Sequence, residues 1–584
     1  MASMATDSSS TTELNLSATE GSRHVQAWRN PTLLLVLMAF ASLAVRLAAF
    51  AHWGIGAIDS EGTEYARIAQ NLRAGVGYVG MTSPGLQLSF PPLFPLLIAA
   101  ASLVTPNYEW AGRIVCLVLG SLLPLPVFGI AARLFDRRIG YVAAVLAMGY
   151  PVLVKLSFSV LAEAPYITLL LTAVYVVLCA LDRPTIVRFC LVGGLFGLAY
   201  LTRQEAVSPL LIALFVAMCF TGNSWTDRGK RIAAALAVFL VVALPEIIYL
   251  YRATGQLRLE GKSPLIYAEE IRTAIGEKNN EANPDEWALH SIDASLQRTG
   301  TANRPQADVA RDTRISFREL ARIQKRAIRK NVPLVMETLS TRWMGSPFLF
   351  ALAFLGILRR PWKRRLLSSY VYVLLVPCAV IGAMLLVTWY MARFYFVLLP
   401  FLLIWAANGL VGVALWTKAS LQVVGWRWIS LPIAKWMVPG LLGVVILVYP
   451  IKGLWSIWEF RQSSPATQRV KELGVWIGQQ QKGQVTIMDR YTPLAFHANA
   501  QWLGFPYCDS NLALRFLDAA KVDYVILRQG EKYTDYYHDW VTNGIPHPRA
   551  ERLDVAIDLR GTGITVFRWH REGSDSLGKP KPLR

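Results

Sequence analysis

TLLLVLMAFASLAVRLAAFA (32–51), GRIVCLVLGSLLPLPVFGIAA (112–132), IAAALAVFLVVALPEIIYLY (232–251) and FYFVLLPFLLIWAANGLVGVALW (394–416) decide the fold class. Each is close to the roughly 20 apolar residues that carry a helix across a bilayer. Seven further apolar segments, 139–154, 164–181, 189–201, 207–220, 344–358, 366–390 and 436–455, follow the same pattern, with 189–201 and 207–220 the shortest. The sequence therefore predicts a polytopic α-helical membrane protein with about eleven transmembrane helices. Composition agrees: 54% of the residues are hydrophobic and 17% charged, and the mean hydropathy is +0.36. A soluble chain of this size would not carry so many long charge-free runs.

The net charge of +20 is a topology signal rather than a nucleic-acid footprint. Arg133, Arg137 and Arg138 lie between the second and third spans, Arg228, Lys230 and Arg231 between the sixth and seventh, and Arg359, Arg360, Lys363, Arg364 and Arg365 between the eighth and ninth. Lys and Arg gather in cytoplasmic loops. With the N-terminus inside, the inner loops after the first span collect about 16 basic residues and the short outer loops about 6. The expected location is the cell (inner) membrane, with no nucleic-acid partner. Five cysteines (Cys116, Cys179, Cys190, Cys219 and Cys378) fall in apolar segments and Cys508 stands alone beyond them, so no disulfide framework is expected. Ala49-Phe50-Ala51 resembles a signal-peptidase site, but the run before it exceeds the roughly 7–15 residues of a signal core, which favours a retained anchor.

This orientation orders the rest of the chain. Residues 1–28 read as a disordered cytoplasmic tail, 29–456 as the transmembrane domain with outer loops 52–111 and 252–341, 457–572 as an outer α/β domain, and 573–584 as a tail. SFPPLFPLLIAAASLV (89–104) keeps only about 12 residues after its double proline, too few to span, and is expected to lie re-entrant or interfacial. VARDTRISFRELARIQKRAIRK in the second outer loop has helical apolar spacing suited to the interface. In the last region VTIMD (485–489), VDYVILR (522–528), LDVAID (553–558) and ITVFRW (564–569) read as strands and NLALRFLDAAK (511–521) as a helix.

IDSEGTEYARIAQNLRAGVGY (58–78) places Tyr65, Ile68, Ala69 and Leu72 on one helical face, with Asp59, Ser60 and Glu61 at the N-terminus beside the membrane. These acids either cap the helix and complement its dipole or form a carboxylate site. Together with the double proline of SFPPLFPLL (89–97), LAEAPYITLLL (161–171), LTRQEA (201–206), ARFYFVLLPFLLIWAANG (392–409) and the terminal VDYVIL strand, the segment resembles the GT-C superfamily of polyprenyl-phosphate-sugar glycosyltransferases, closest to its protein mannosyltransferase and aminoarabinose transferase group. The resemblance covers nearly the whole chain, through the order of its motifs more than through any one of them.

That resemblance implies a GT-C-type helical domain with a small outer α/β domain, and an inverting membrane glycosyltransferase. A monosaccharide would pass from a polyprenyl-phosphate donor to an acceptor hydroxyl, or similar group, of a protein, lipid or glycan on the outer face. It also implies that a first-loop acid, Asp59 or Glu61, is the base. The spacing to Tyr65 suits Glu61, while Asp59 is preferred here with Glu61 as its neighbour. The group's usual Lys before the double proline is absent, with Phe90 in its place, which speaks against an aminoarabinose substrate. Arg393, flanked by Tyr390, Phe394 and Tyr395, together with Arg203 and Arg46, is expected at the donor phosphate, because guanidinium offers a planar multi-donor fork. Each has an alternative reading, as an interfacial anchor or, for Arg203, as the partner of Glu205. Glu163, Glu64, Tyr65 and Tyr395 are the supporting residues, and Glu246 is a further intramembrane acid. His290, His497, His538, His547 and His570 have no metal-ligand spacing, and no cofactor is called for beyond a divalent cation as an alternative at the acids. No phosphate-cradling Gly-rich loop with Lys is present, which argues against an ATPase. A secondary transporter, or a transferase of a lipid-linked oligosaccharide, is the alternative function; the transporter would be expected to show internal repeats, and none is visible.

Overall fold

The computed structural model describes residues 31–53, 58–221, 224–345, 347–359, 362–386, 391–423, 434–454, 465–480, 483–555 and 557–571. The expected tails 1–28 and 573–584, and Tyr390, lie outside the described residues. The chain is mostly helical. Among the described residues seven helices are long and apolar enough to cross a membrane: Thr32–Trp53, Tyr108–Leu134, Glu163–Asp182, Trp225–Thr254, Arg364–Leu386, Arg393–Val423 and Trp436–Leu454. The other expected spans are shorter helices, Ile186–Tyr200, Val207–Phe220 and Pro347–Leu358. The 139–154 span is divided at Tyr150 into Arg137–Gly149 and Pro151–Leu156, because Pro151 can open a helix but cannot donate within one. One contiguous apolar core runs through the bundle, and the protein is a multi-pass membrane protein.

The basic loops and the long polar segments occupy opposite ends of the bundle. Asp182 ends the Glu163–Asp182 helix and pairs with Arg133 at 2.8 Å and Arg365 at 3.0 Å. Glu163 begins the same 20-residue helix, about 30 Å away at 1.5 Å per residue. At the Glu163 end the Ser60–Arg73 helix lies over Leu93–Ala101, the nine-residue helix that follows the double proline.

Beyond the last span the Pro465–Gln480 helix leads into a five-stranded sheet in the order β2-β1-β3-β5-β4, with β1 Thr486–Met488, β2 Gln501–Leu503, β3 Tyr524–Arg528, β4 Ala550–Arg552 and β5 Ile564–Trp569. β1 runs parallel to β2 and β3, and β5 antiparallel to β3 and β4. Alternation along β3 sends Tyr524 and Ile526 to one apolar cluster and Val525 and Leu527 to another, so both faces are covered. The expected strands at 485–489, 522–528 and 564–569 and the helix at 511–521 correspond to β1, β3, β5 and Ser510–Ala519. Among the described residues of 553–558 the expected strand does not form. The ladder strand is Ala550–Arg552, extended by the Leu553 amide donating to the Val566 carbonyl at 3.0 Å, and Leu553, Val555 and Ile557 pack their apolar side chains over the cluster that holds Tyr524 and Ile526, so their period of two reports one-sided burial. The short strand β2 carries too few residues to announce itself in the sequence.

Candidate active site

Asp59 stands at the N-cap of the Ser60–Arg73 helix with extended backbone, and its Oδ1 accepts the Gly62 amide at 2.6 Å. Its carboxylate is thus engaged by the helix N-terminus. Gly62 is confined: a Cβ there would stand 2.8 Å from the Val160 carbonyl oxygen and 2.7 Å from Ile58 Cγ1. This close approach fixes the first turn against the segment that precedes Glu163.

Glu61, two residues on, points the other way. Its Oε2 accepts from Arg393 Nη2, and its Oε1 accepts from the Tyr65 hydroxyl at 3.2 Å. Tyr65 is held edge-on between Phe90 and Phe94, with both ring centroids 4.9 Å away. Arg393 is the second residue of the 3-10 turn Ala392–Val397, is buried, and lies 3.6 Å from Glu163 through Nε. Glu163 in turn pairs with Arg203 at 2.5 Å, and Arg203 with Glu205 at 2.9 Å. The result is an alternating chain, Glu61–Arg393–Glu163–Arg203–Glu205, drawn from four separate segments. Burial alone would raise the Glu61 carboxyl, but Arg393, Lys262 and Arg203 outweigh it and hold the group below the usual carboxylate range.

Lys262 opens the Lys262–Lys278 helix of the second long loop. Its ammonium lies 5.8 Å from the Phe394 ring, and the Arg203 guanidinium lies 5.1 Å from the same ring. Burial lowers it from the ordinary lysine value, and Glu61 acts in the opposite direction. Lys262 makes no ion pair with a described residue, whereas Arg203 and Arg393 are each already neutralised.

A cavity of about 560 Å³ opens on this arrangement, with Glu61, Tyr65, Arg203, Lys262, Arg393 and Phe394 among its walls. A smaller apolar groove of about 50 Å³ runs toward the helices along Tyr166, Ile167, Val380, Ala383 and Met384. Arg203, Glu205, Arg393 and Phe394 line both, so a chamber with charged side chains in its walls and an apolar slot meet at the two arginines.

The structure thus brings together Glu61, Tyr65, Glu163, Arg203 and Arg393 of the expected site residues. It does not bring Asp59, Glu64, Arg46 or Tyr395 to the cavity walls. Arg46 is fully buried within the bundle, where its Nε donates to Ser157 Oγ at 2.8 Å and its Nη1 to Ser42 Oγ at 2.5 Å, so serines one turn away and on a neighbouring segment hold it inside the helices. Glu64 accepts the Met81 and Thr82 amides at 2.6 and 2.7 Å and so pins the 78–88 loop; burial raises its carboxyl despite those bonds. Tyr395 is buried in the bundle core, because the 3-10 turn rotates it away from Arg393. Glu246 is buried in its span and lines neither space. Lys262 is the residue that sequence reasoning missed; the available signal was a lysine at a helix start, in Gly261-Lys262-Ser263-Pro264, of a loop already assigned to this side. His290 and His497 are pushed down to about 4 by burial and are neutral at physiological pH. Among the described residues no group of three or more His, Cys, Asp or Glu side chains gathers to hold a metal.

The dolichyl-phosphate-mannose-protein mannosyltransferase family model matches residues 89–249, a stretch that contains Glu163, Arg203 and Glu205. No curated protein sequence matches the chain. Among solved structures, the apo oligosaccharyltransferase of Archaeoglobus fulgidus is similar at 13% identity and a TM-score of 0.54, over 86% of this chain and 70% of that one. ArnT from Cupriavidus metallidurans bound to undecaprenyl phosphate is similar at 13% identity and a TM-score of 0.53, over 94% of this chain and 100% of that one. The Archaeoglobus fulgidus AglB complex with an inhibitory peptide and a dolichol-phosphate matches at 13% identity and a TM-score of 0.53, over 84% of this chain and 68% of that one. The chain has the fold of the GT-C glycosyltransferases.

Proposed function

We propose that this GT-C-fold chain transfers a monosaccharide from a polyprenyl-phosphate donor to an acceptor hydroxyl, with inversion, at the cavity end of the bundle. The observation that carries the reading is the meeting of Glu61 with three cations, Arg203, Lys262 and Arg393, where a chamber with charged side chains in its walls joins an apolar slot. The chamber suits a sugar phosphate, and the slot suits the start of a prenyl chain. ArnT and AglB, which share the fold, bind undecaprenyl phosphate and a dolichol-phosphate respectively. The expected orientation puts this end on the outer face of the cell membrane.

In this reaction the acceptor oxygen attacks the anomeric carbon, its proton passes to Glu61, and the bond from the anomeric carbon to the phosphate oxygen breaks. The polyprenyl phosphate leaves with the electron pair, and cations facing that oxygen lower the barrier. Lys262, which makes no ion pair with a described residue, is the first ligand for the phosphate. Arg393 is the second, and it can reach the phosphate only by loosening its bond to Glu61. Donor binding then returns basicity to Glu61, so that the base is fully active when a donor is present. Asp59 in this reading is the helix cap and Glu61 the base.

Purified protein in vesicles, given synthetic polyprenyl-phosphate sugars and cell-envelope acceptor fractions, should release free polyprenyl phosphate and form a glycosylated product detectable by mass spectrometry. Loss of one surface glycan from a deletion strain should identify the acceptor. Transfer of an intact oligosaccharide from the lipid carrier, with monosaccharide donors inert, would replace this reading with that of an oligosaccharide transferase; an ion-gradient-driven flux without transfer would make the chain a transporter.

A further inference from the structure

The Phe317–Ser340 helix combines basic residues with an apolar stripe that no described residue covers. Its N-terminus is closed by a capping box between Ser316 and Glu319, so the helix is defined independently of what it rests on. Asn331 donates to the Met384 carbonyl at 3.0 Å, and Ala327, Asn331 and Thr338 mark the side packed on the Leu367–Leu386 span. Around the helix from that side, Phe317, Ile328, Val332 and Met336 are 84%, 40%, 47% and 66% exposed. At 100° per residue they fall within about 100° of arc. On the same scale, counted from Phe317, Lys325, Arg318 and Arg329 fall at about 80°, 100° and 120°, along one side of the stripe and just beyond it; all three are exposed and make no ion pair among the described residues.

An exposed apolar stripe beside unpaired cations is poorly suited to water and well suited to the boundary between acyl chains and headgroups. The surroundings agree. Val335 and Leu339, near the C-terminal end, join the core of the transmembrane bundle, and Leu386, at the end of the span the helix packs on, is itself 48% exposed. The stripe therefore continues a lipid-facing surface. Its cations complement an anionic headgroup layer, each contributing about 1 kcal/mol near such a surface.

We propose that the Phe317–Ser340 helix lies in the headgroup region at the cavity end of the bundle, seats Phe317, Ile328, Val332 and Met336 among the acyl chains, and binds anionic phospholipid through Arg318, Lys325 and Arg329. Arg326 bonds Glu277 at 2.6 Å, and Gln324 reaches the Tyr267 hydroxyl at 3.4 Å, both on the helix that begins with Lys262. Bound lipid is thus held one helix away from the cavity. The inference does not depend on the reaction assigned to that cavity, and its test uses no turnover.

The full-length protein, with its six cysteines replaced, is placed in nanodiscs of phosphatidylcholine with phosphatidylglycerol, and single spin labels are set at Ile328, Val332, Met336 and Lys330. Labels at the first three positions should be accessible to oxygen and shielded from an aqueous nickel chelate, with the reverse at Lys330. In the native-cysteine protein, Arg318→Gln, Lys325→Gln and Arg329→Gln together should weaken retention of spin-labelled phosphatidylglycerol at least about fivefold, the effect of removing one such surface charge. Retention of phosphatidylcholine should not change. Chelate access at Ile328, Val332 and Met336 would overturn the placement. Unchanged phosphatidylglycerol retention in the triple variant, or its displacement by polyprenyl phosphate at trace concentration, would overturn the assignment of the ligand.

Discussion

Replacing Glu61 by Gln removes a negative charge and a proton acceptor while keeping nearly the same shape. The structure specifies what should follow. Arg393 keeps Glu163 at 3.6 Å, and Tyr65 keeps an oxygen to donate to, so the local fold should hold. A positioned general base contributes about 10²–10⁴-fold in rate, which is about 3–5 kcal/mol of barrier. kcat should fall by that factor. The donor KM should stay level or drop, because Arg393, released from Glu61, is more available to phosphate. The companion change, Asp59→Asn, should be nearly silent, since the cap to the Gly62 amide survives and Asn caps about as well as Asp. Asp59→Ala should lose the cap and cost about 0.5–2 kcal/mol of stability, read as a lower Tm with kcat otherwise near the parent value. Steady-state kinetics with a polyprenyl-phosphate sugar, beside thermal melts of each variant, separate the two roles. Normal turnover in Glu61→Gln together with a dead Asp59→Asn would refute the assignment and make Asp59 the base. Full activity in both would remove the first-loop acids from the chemistry.

Four further outcomes are expected. Because Glu61 titrates below the ordinary range, kcat/KM, which reports the free enzyme, should hold as pH falls through the usual glutamate value of about 4.3 and decline only beneath it; Lys262→Gln removes one of the cations responsible and should move that acidic limb upward. Arg393→Ala removes the ion-pair partner of Glu61 while Glu163 keeps Arg203 at 2.5 Å, so the fold should hold and donor affinity should fall, and Arg393→Lys should recover only part of that affinity because the fork is lost. Gly62→Ala presses a Cβ against Val160 and Ile58 and should destabilise by about 1–3 kcal/mol, with unchanged melting refuting the tight contact. Cysteines placed near Arg138 and Arg364 should resist a membrane-impermeant thiol reagent in intact cells while one near Asn543 labels, and labelling near Arg364 would reverse the orientation.

The sequence by itself determined what depends on composition and local period. Apolar runs of bilayer length, charge clusters in the connections, and strands such as Ile564–Trp569 are legible because each is a property of neighbouring residues. The presence of acids at the start of the Ser60–Arg73 helix was legible for the same reason, and the order of motifs along the chain carried the GT-C resemblance. Which acid faces the cavity was not legible. Asp59 and Glu61 are chemically alike, and only the seating of the helix against Val160 and the approach of Arg393, 332 positions away, sends one carboxylate into its own helix and the other into the chamber. The same reason explains Arg46 and Lys262. A span arginine close to the expected site is claimed by Ser42 and Ser157, while a lysine from a distant loop arrives beside Phe394. The Leu553–Asp558 stretch shows the limit for strands: alternation records which side is buried, and the partner that would make it a ladder is set by tertiary pairing. A buried charge is assigned by whichever counter-charge the fold delivers within a few ångströms, and that distance is not written in the local sequence.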